Sequence, residues 1–140
     1  MTPDGWVELL GSPSHRIDAM SALAGGVTAT ELSRAQPSEE AFVALLAGSR
    51  HENPQVRWWS VQLLDHLPDS RAIAVFAERL DDPVPRVRRN AAHALGCAAC
   101  KPGWDRQLDE ATTAKLAELA IDDPNLKVRD EACRALTCRG

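Results

Sequence analysis

The sequence predicts an all-α protein built as an array of about four stacked helical hairpins. Three observations carry that expectation. Residues 81–97 (DDPVPRVRRNAAHALGC) and 122–138 (DDPNLKVRDEACRALTC) agree at nine of 17 aligned positions, and fainter copies start at Asn53 and Ser12. Apolar residues follow each copy at helical rather than alternating spacing. The composition is rich in Ala and Leu, aromatic residues make up 4%, and Tyr is absent, which suits packed helices over a sheet. A unit this short cannot bury its own apolar face, so the units must stack on one another.

The second helix of each hairpin is the clearest element. Val87, Ala91, Ala94, Leu95 and Ala98 form one stripe. The equivalent stripes are Val56, Ser60, Leu63, Leu64 and Leu67, and Val128, Ala132, Ala135 and Leu136. Asn53-Pro54, Asp82-Pro83 and Asp123-Pro124 stand before these stripes. Pro suits the first turn of a helix, and Asn or Asp before it accepts from an orphan N–H there. The first helices are marked by Trp6, Leu9 and Leu10, by Phe42, Leu45 and Leu46, by Ile73, Phe76, Ala77 and Leu80, and by Leu116, Leu119 and Ala120. Ser38 with Glu39 and Glu40 supplies a capped, favourably charged start, and Asp69-Ser70 is placed to do the same before Ile73. A single domain over 1–140 is expected, with hairpins over about 4–25, 38–67, 69–100 and 109–138, eight main helices and no strands.

Arg16, Arg57, Arg88 and Arg129 hold one repeat position, at intervals of 41, 31 and 41 residues. The basic period is the shorter one. Two insertions, around Gly26–Pro37 and Cys97–Glu110, lengthen the first and third intervals. They either build a common lip or are tolerated surface loops.

The pattern Asp-Asp-Pro-x-x-x-Val-Arg-x-x-Ala-x-x-Ala-Leu, carried by Asp81–Leu95 and Asp122–Leu136, resembles HEAT-like repeats of the short type found in phycobilisome-lyase-related proteins and bacterial scaffolds. Asn53–Leu64 matches it less fully. Ser12–Leu23 matches it least, with His15 where Val is expected. The resemblance implies a right-handed α-solenoid whose second helices line a concave face. It also implies that turn carboxylates link to early-helix arginines of neighbouring repeats, a structural ladder of Arg57, Asp82, Arg88, Asp123 and Arg129. A row of ligand-binding arginines is the other reading of that series. The resemblance implies no single activity, because this fold mostly binds other molecules.

At about 100° per residue, the faces opposite the core stripes form three rows. They are Ser14, Gln55, Arg86, Lys127; Ile17, Trp58, Arg89, Asp130; and Ser21, Gln62, His93, Arg134. Trp58, flanked by Trp59, is expected to face solvent, and Trp and Arg are enriched at binding hot spots. The expected partner-binding set is therefore Gln55, Trp58, Trp59, Gln62, Arg86, Arg89, His93, Lys127 and Arg134, and the expected partner is an acidic segment of another protein. The alternative is that Trp58 packs beneath the first insertion while the arginines only solvate a helix face.

Other functions find less in the sequence. A net charge of −4 disfavours a dedicated nucleic-acid binder, although the basic row keeps phosphate-backbone binding as an alternative. An accessory role like that of bilin lyases rests on the repeat type alone. His15, His51, His66 and His93 are dispersed over different repeats, no G-x-S-x-G elbow or phosphate loop occurs, and no enzyme or cofactor is expected. Cys97-x-x-Cys100 with Cys133 and Cys138 is a candidate thiolate metal site, weakened because the second CxxC is missing. Small cysteines replacing Ala in helices are the plainer reading. No apolar run approaches the roughly 20 residues of a membrane-spanning helix, and the start of the chain lacks the character of a signal peptide. A cytoplasmic protein with no membrane role is expected. The last hairpin resembles an internal unit, so an end-to-end homodimer or a larger assembly would cover its open side.

Overall fold

The structure, a computed structural model, describes residues 1–96 and 108–137. The chain divides into two compact units, Met1–Leu67 and Pro68–Gly140. Each holds two of the four hairpins.

The first unit contains α1 (Pro3–Leu9), α2 (Arg16–Leu23), a 3-10 helix (Ala29–Arg34), α3 (Glu39–Gly48) and α4 (Pro54–Asp65). Local chemistry sets their ends. Thr2 Oγ1 accepts from Gly5 N, Ser38 Oγ from Ala41 N, and Asn53 Oδ1 from Gln55 N, each satisfying an N-terminal donor. Pro54 opens α4 as its first helical residue. Helix α2 stops in a Schellman turn. Gly26 N donates to Ser21 O and Gly25 N to Ala22 O, with Gly25 at φ +82°, a conformation that favours glycine. The chain then enters the first insertion, where the 3-10 helix lies. Helix α1 packs on α2 and α3 on α4, with Val7, Leu10, Leu23, Phe42, Leu45, Val56 and Leu64 buried between them. Burying each of these side chains contributes roughly 1.5–3 kcal/mol. Gly48 marks where α1, α3 and α4 come closest: a Cβ there would strike Ser60 Oγ and stand 2.7 Å from Val7 Cγ1.

The second unit contains α5 (Ala72–Arg79), α6 (Pro85–Gly96), α7 (Glu110–Asp122) and α8 (Leu126–Thr137). Helix α5 packs on α6 and α7 on α8, and the second helices α6 and α8 lie side by side. Val75, Phe76, Leu80, Val87, Ala91, Leu95, Leu116 and Val128 make its core. All described members of the expected second-helix stripes are buried except Leu136, which is half-buried, and Ala98 lies outside the described residues. So do most of the second insertion and the end of the third hairpin.

Two expected helix starts are corrected. Pro83 and Pro124 do not open helices; α6 begins at Pro85 and α8 at Leu126. The reason lies in the side chains before the prolines. Asp82 Oδ1 accepts from Val84 N and Asp123 Oδ1 from Asn125 N, each closing a turn of its own before the helix starts. Asn125 then caps α8, accepting from Lys127 N and Val128 N. Asp69 also makes a turn rather than a cap: its carboxylate takes Arg71 N, and α5 starts at Ala72 without a side-chain cap. Among the described residues there are eight α-helices and no strand.

Candidate functional site

Three members of the arginine series, Arg16, Arg57 and Arg88, tie their second helices back to their own turns. Arg16 Nε donates to Leu10 O at 2.8 Å, Arg57 Nη1 to His51 O at 3.0 Å, and Arg88 Nη1 to Asp82 O at 2.9 Å. Each acceptor stands six residues before its arginine. Arg88 has two further donors, and both reach the next hairpin: Nε meets Asp123 Oδ2 at 2.8 Å and Nη2 meets Oδ1 at 3.1 Å. Burial alone would raise the Asp123 pKa. The Arg88 fork, the Asn125 N–H and the charges of Arg88 and Arg129 outweigh it and hold the carboxyl below its ordinary 3.8. Asp82 receives Arg79 Nη1 at 3.2 Å. The outer acid of its pair, Asp81, meets Lys115 Nζ at 2.5 Å, which raises the Lys115 pKa. Arg57 is buried in the first unit, and Asp82 in the second.

The expected partner-binding residues fall into separate groups. In the second unit, Arg86, Arg89 and Lys127 are exposed. They line a cleft of 360 Å³ together with Val84, Pro85 and Asn125. The cleft lies where α6 and α8 begin, so the positive ends of two helix dipoles add to the potential of three cationic side chains. Further along, His93 Nδ1 lies 3.6 Å from Glu131 Oε1, and Arg134 pairs with Asp130 one turn away at 2.9 Å. Those contacts turn the later part of the row towards acids of its own unit.

In the first unit, Trp58 is half-buried, not solvent-facing as the angular reading predicts. Its ring meets Trp59 edge to face, with centroids 4.5 Å apart at 87°. The Arg16 guanidinium stands 5.0 Å from the Trp59 ring centre. Two neighbouring indoles shield each other, and a cation covers the second, so neither projects freely. Gln55 and Gln62 are half-buried beside them. The repeat position of Arg16 is legible in the sequence, but its contact with Trp59, 43 residues away, is not. Val84, Pro85 and Asn125 line the cleft from outside the angular rows, which hold only residues opposite the core stripes.

Cys133 is exposed with a free thiol, while Cys97, Cys100 and Cys138 lie outside the described residues. Among the described residues, no three His, Cys, Asp or Glu side chains are grouped to hold a metal ion. No helix among them is long and apolar enough to cross a membrane.

Helical hairpins repeating with an arginine at one fixed place define a helical-repeat protein. The family description HEAT repeats matches residues 4–96 and 39–137, and the chain belongs to that family. Human deoxyhypusine hydroxylase, solved in complex with glycerol, is similar over 97% of this chain at 27% identity and a TM-score of 0.62. The chain spans 42% of that protein's length. No curated protein matches the chain in sequence.

Proposed function

We propose that this chain is a non-enzymatic interaction module that holds an acidic segment of a partner protein in the cleft where α6 and α8 begin. The supporting observation is the convergence of Arg86, Arg89 and Lys127 on one concavity. Arginine forks take carboxylates through two parallel bonds. Val84 and Pro85 give the same cleft an apolar wall, and Leu126, 72% exposed, stands beside Lys127. The ligand this favours is a short segment in which acidic and apolar side chains alternate. In a protein of net charge −4, such a basic patch attracts an acidic partner locally.

The test titrates a fluorescent acidic peptide, and separately a DNA duplex, against the full chain and its variants Arg89→Glu, Lys127→Glu and Trp58→Ala. The peptide affinity is expected to fall at least tenfold in both charge reversals and to weaken with salt. Peptide binding unchanged in both reversals ends the reading. Duplex binding that is stronger than peptide binding, and lost in the same reversals, replaces it with phosphate-backbone recognition. Trp58→Ala, in the first unit, is expected to leave the peptide affinity unchanged.

A further inference from the structure

The side chains lining the cleft where α6 and α8 begin offer donors and no free acceptor. Arg86, Arg89 and Lys127 can only donate. Asn125 lines the cleft with them, and its Oδ1 is already taken by Lys127 N and Val128 N. The end of its amide left over is Nδ2, which carries two donors. Val84 and Pro85 complete the lining and have no polar side-chain atom.

Asp82, Asp123 and Asp130 stand close by in sequence, and each is engaged elsewhere. Asp82 and Asp123 are buried. The two carboxylate oxygens of Asp82 take Val84 N and Arg79 Nη1, and those of Asp123 take Nη2 and Nε of Arg88. Asp130 pairs with Arg134. Arg89 and Lys127 make no ion pair among the described residues. The cleft therefore keeps its positive charge. Its openness belongs to the repeat position: Arg86 is the counterpart of Lys127 and is exposed although a further hairpin follows it. Stacking one hairpin on the next does not cover this row.

We infer that the cleft holds a phosphorylated serine or threonine of the partner segment, with the phosphate among Arg89, Lys127 and the Asn125 amide. The inference rests on the acidic-segment reading and names the acid that anchors the segment. A carboxylate brings one charge and two oxygens. A phosphomonoester brings a charge of about −1.5 to −2 at neutral pH and three strong acceptor oxygens. A set of three cations and one spare amide leaves fewer donors idle around the second. Size and exposure indicate what carries the phosphate. The cleft measures 360 Å³, at the small end of the roughly 300–1,000 Å³ typical of ligand clefts. That suits one phosphorylated side chain and its neighbours, not a length of duplex. All three cationic side chains are exposed, so the cleft lacks the enclosure by which small ligands are held. A segment gains the missing contact area on Val84, Pro85 and exposed Leu126.

The probes are one peptide of alternating acidic and apolar residues, made with phosphoserine, glutamate or serine at its centre, together with inorganic phosphate alone and a DNA duplex. Calorimetry on the full chain is expected to show the phosphoserine form binding about tenfold or more tighter than the glutamate form, with the serine form weakest. Arg89→Glu and Lys127→Glu each weaken the phosphoserine form by about tenfold or more. Arg89→Lys keeps the charge without the fork and falls between. Asn125→Asp is the sharpest variant. Asp caps a helix as well as Asn, so α8 keeps its start, while two donors give way to a negative charge. It weakens the phosphoserine form with the helical circular dichroism and the unfolding midpoint preserved. Equal affinity for the phosphoserine and glutamate forms, both lost in Arg89→Glu, overturns the inference and leaves the acidic-segment reading standing. No binding by any peptide overturns both. Phosphoserine binding that survives both charge reversals lies elsewhere on the chain and overturns the inference. Inorganic phosphate or the duplex binding as tightly as the phosphoserine form also overturns it, because the occupant is then not a phosphorylated segment.

Discussion

Arg88 and Asp123, 35 residues apart in sequence, form a two-point ion pair in which Nε and Nη2 of one meet Oδ2 and Oδ1 of the other. The side chains are 12% and 2% exposed. The third contact of the guanidinium, to Asp82 O, fixes the side chain to its own turn. One residue thus joins the turn before α6 to the turn before α8. Each of the three guanidinium nitrogens donates one hydrogen bond, and a largely buried pair of this kind is costly to break on one side only.

Removing one partner should therefore be far worse than removing both. Arg88→Ala or Asp123→Ala leaves a buried charge uncompensated and should cost about 3–5 kcal/mol. Arg88→Met combined with Asp123→Leu should recover most of that loss. Urea unfolding followed by helical circular dichroism measures all three, and a double variant as unstable as the worse single one would contradict the argument.

The same pair sets an acid limit. The folded Asp123 pKa lies below its ordinary 3.8, so its contribution is fully present above that value and disappears as pH falls through the lower folded one. Asp123→Asn should flatten this part of the stability profile below pH 3.8 while lowering the plateau above it. Thermal midpoints of both proteins across the acid range supply the comparison.

How much of this was legible depends on what each residue answers to. The arginine series was readable because four arginines keep one position through intervals that change with loop length, and the core stripes followed because Val56, Val87 and Val128 sit one residue before three of them. The helix starts at Pro85 and Leu126 were not. Asp-Pro is an equally good cap or turn signal, and only the bond that Val84 N donates to Asp82 Oδ1 decides for the turn. Trp58 was misread because the angular argument places a side chain by its own helix. Its exposure depends on Trp59, whose setting depends on Arg16, far away in sequence. The cleft was legible in part: Arg86, Arg89 and Lys127 stand in the angular rows, whereas Val84 and Asn125 belong to the turns before the helices, where helical angles do not apply.

Arg16 should matter for stability even though the first hairpin carries the weakest repeat signature. Its Nε holds Leu10 O and its guanidinium covers Trp59. Losing one charge-assisted hydrogen bond and one partly shielded cation–π contact should cost about 1–3 kcal/mol in Arg16→Ala. Arg16→Lys should retain part of the cation–π contact but lose the Nε bond. A red-shifted tryptophan emission in Arg16→Ala would report exposure of the indole, and wild-type emission with wild-type stability would show that the contact contributes nothing.

Gly96→Ala separates helix propensity from packing. On an isolated helix the change is worth about 1 kcal/mol of added stability. Here the new Cβ would stand 2.5 Å from Ala135 Cα and 2.7 Å from Ala135 Cβ, so α6 and α8 must move apart. Overpacking of this kind costs about 1–3 kcal/mol, and spreading the helices also strains the Arg88–Asp123 fork at the other end of the same interface. The net effect should be destabilising. Adding Ala135→Gly removes the Cβ contact but leaves the closer backbone atom in place, and it introduces a glycine into α8, so rescue should be partial at most. If Gly96→Ala alone raises the unfolding midpoint, the two helices do not approach as closely as this geometry requires.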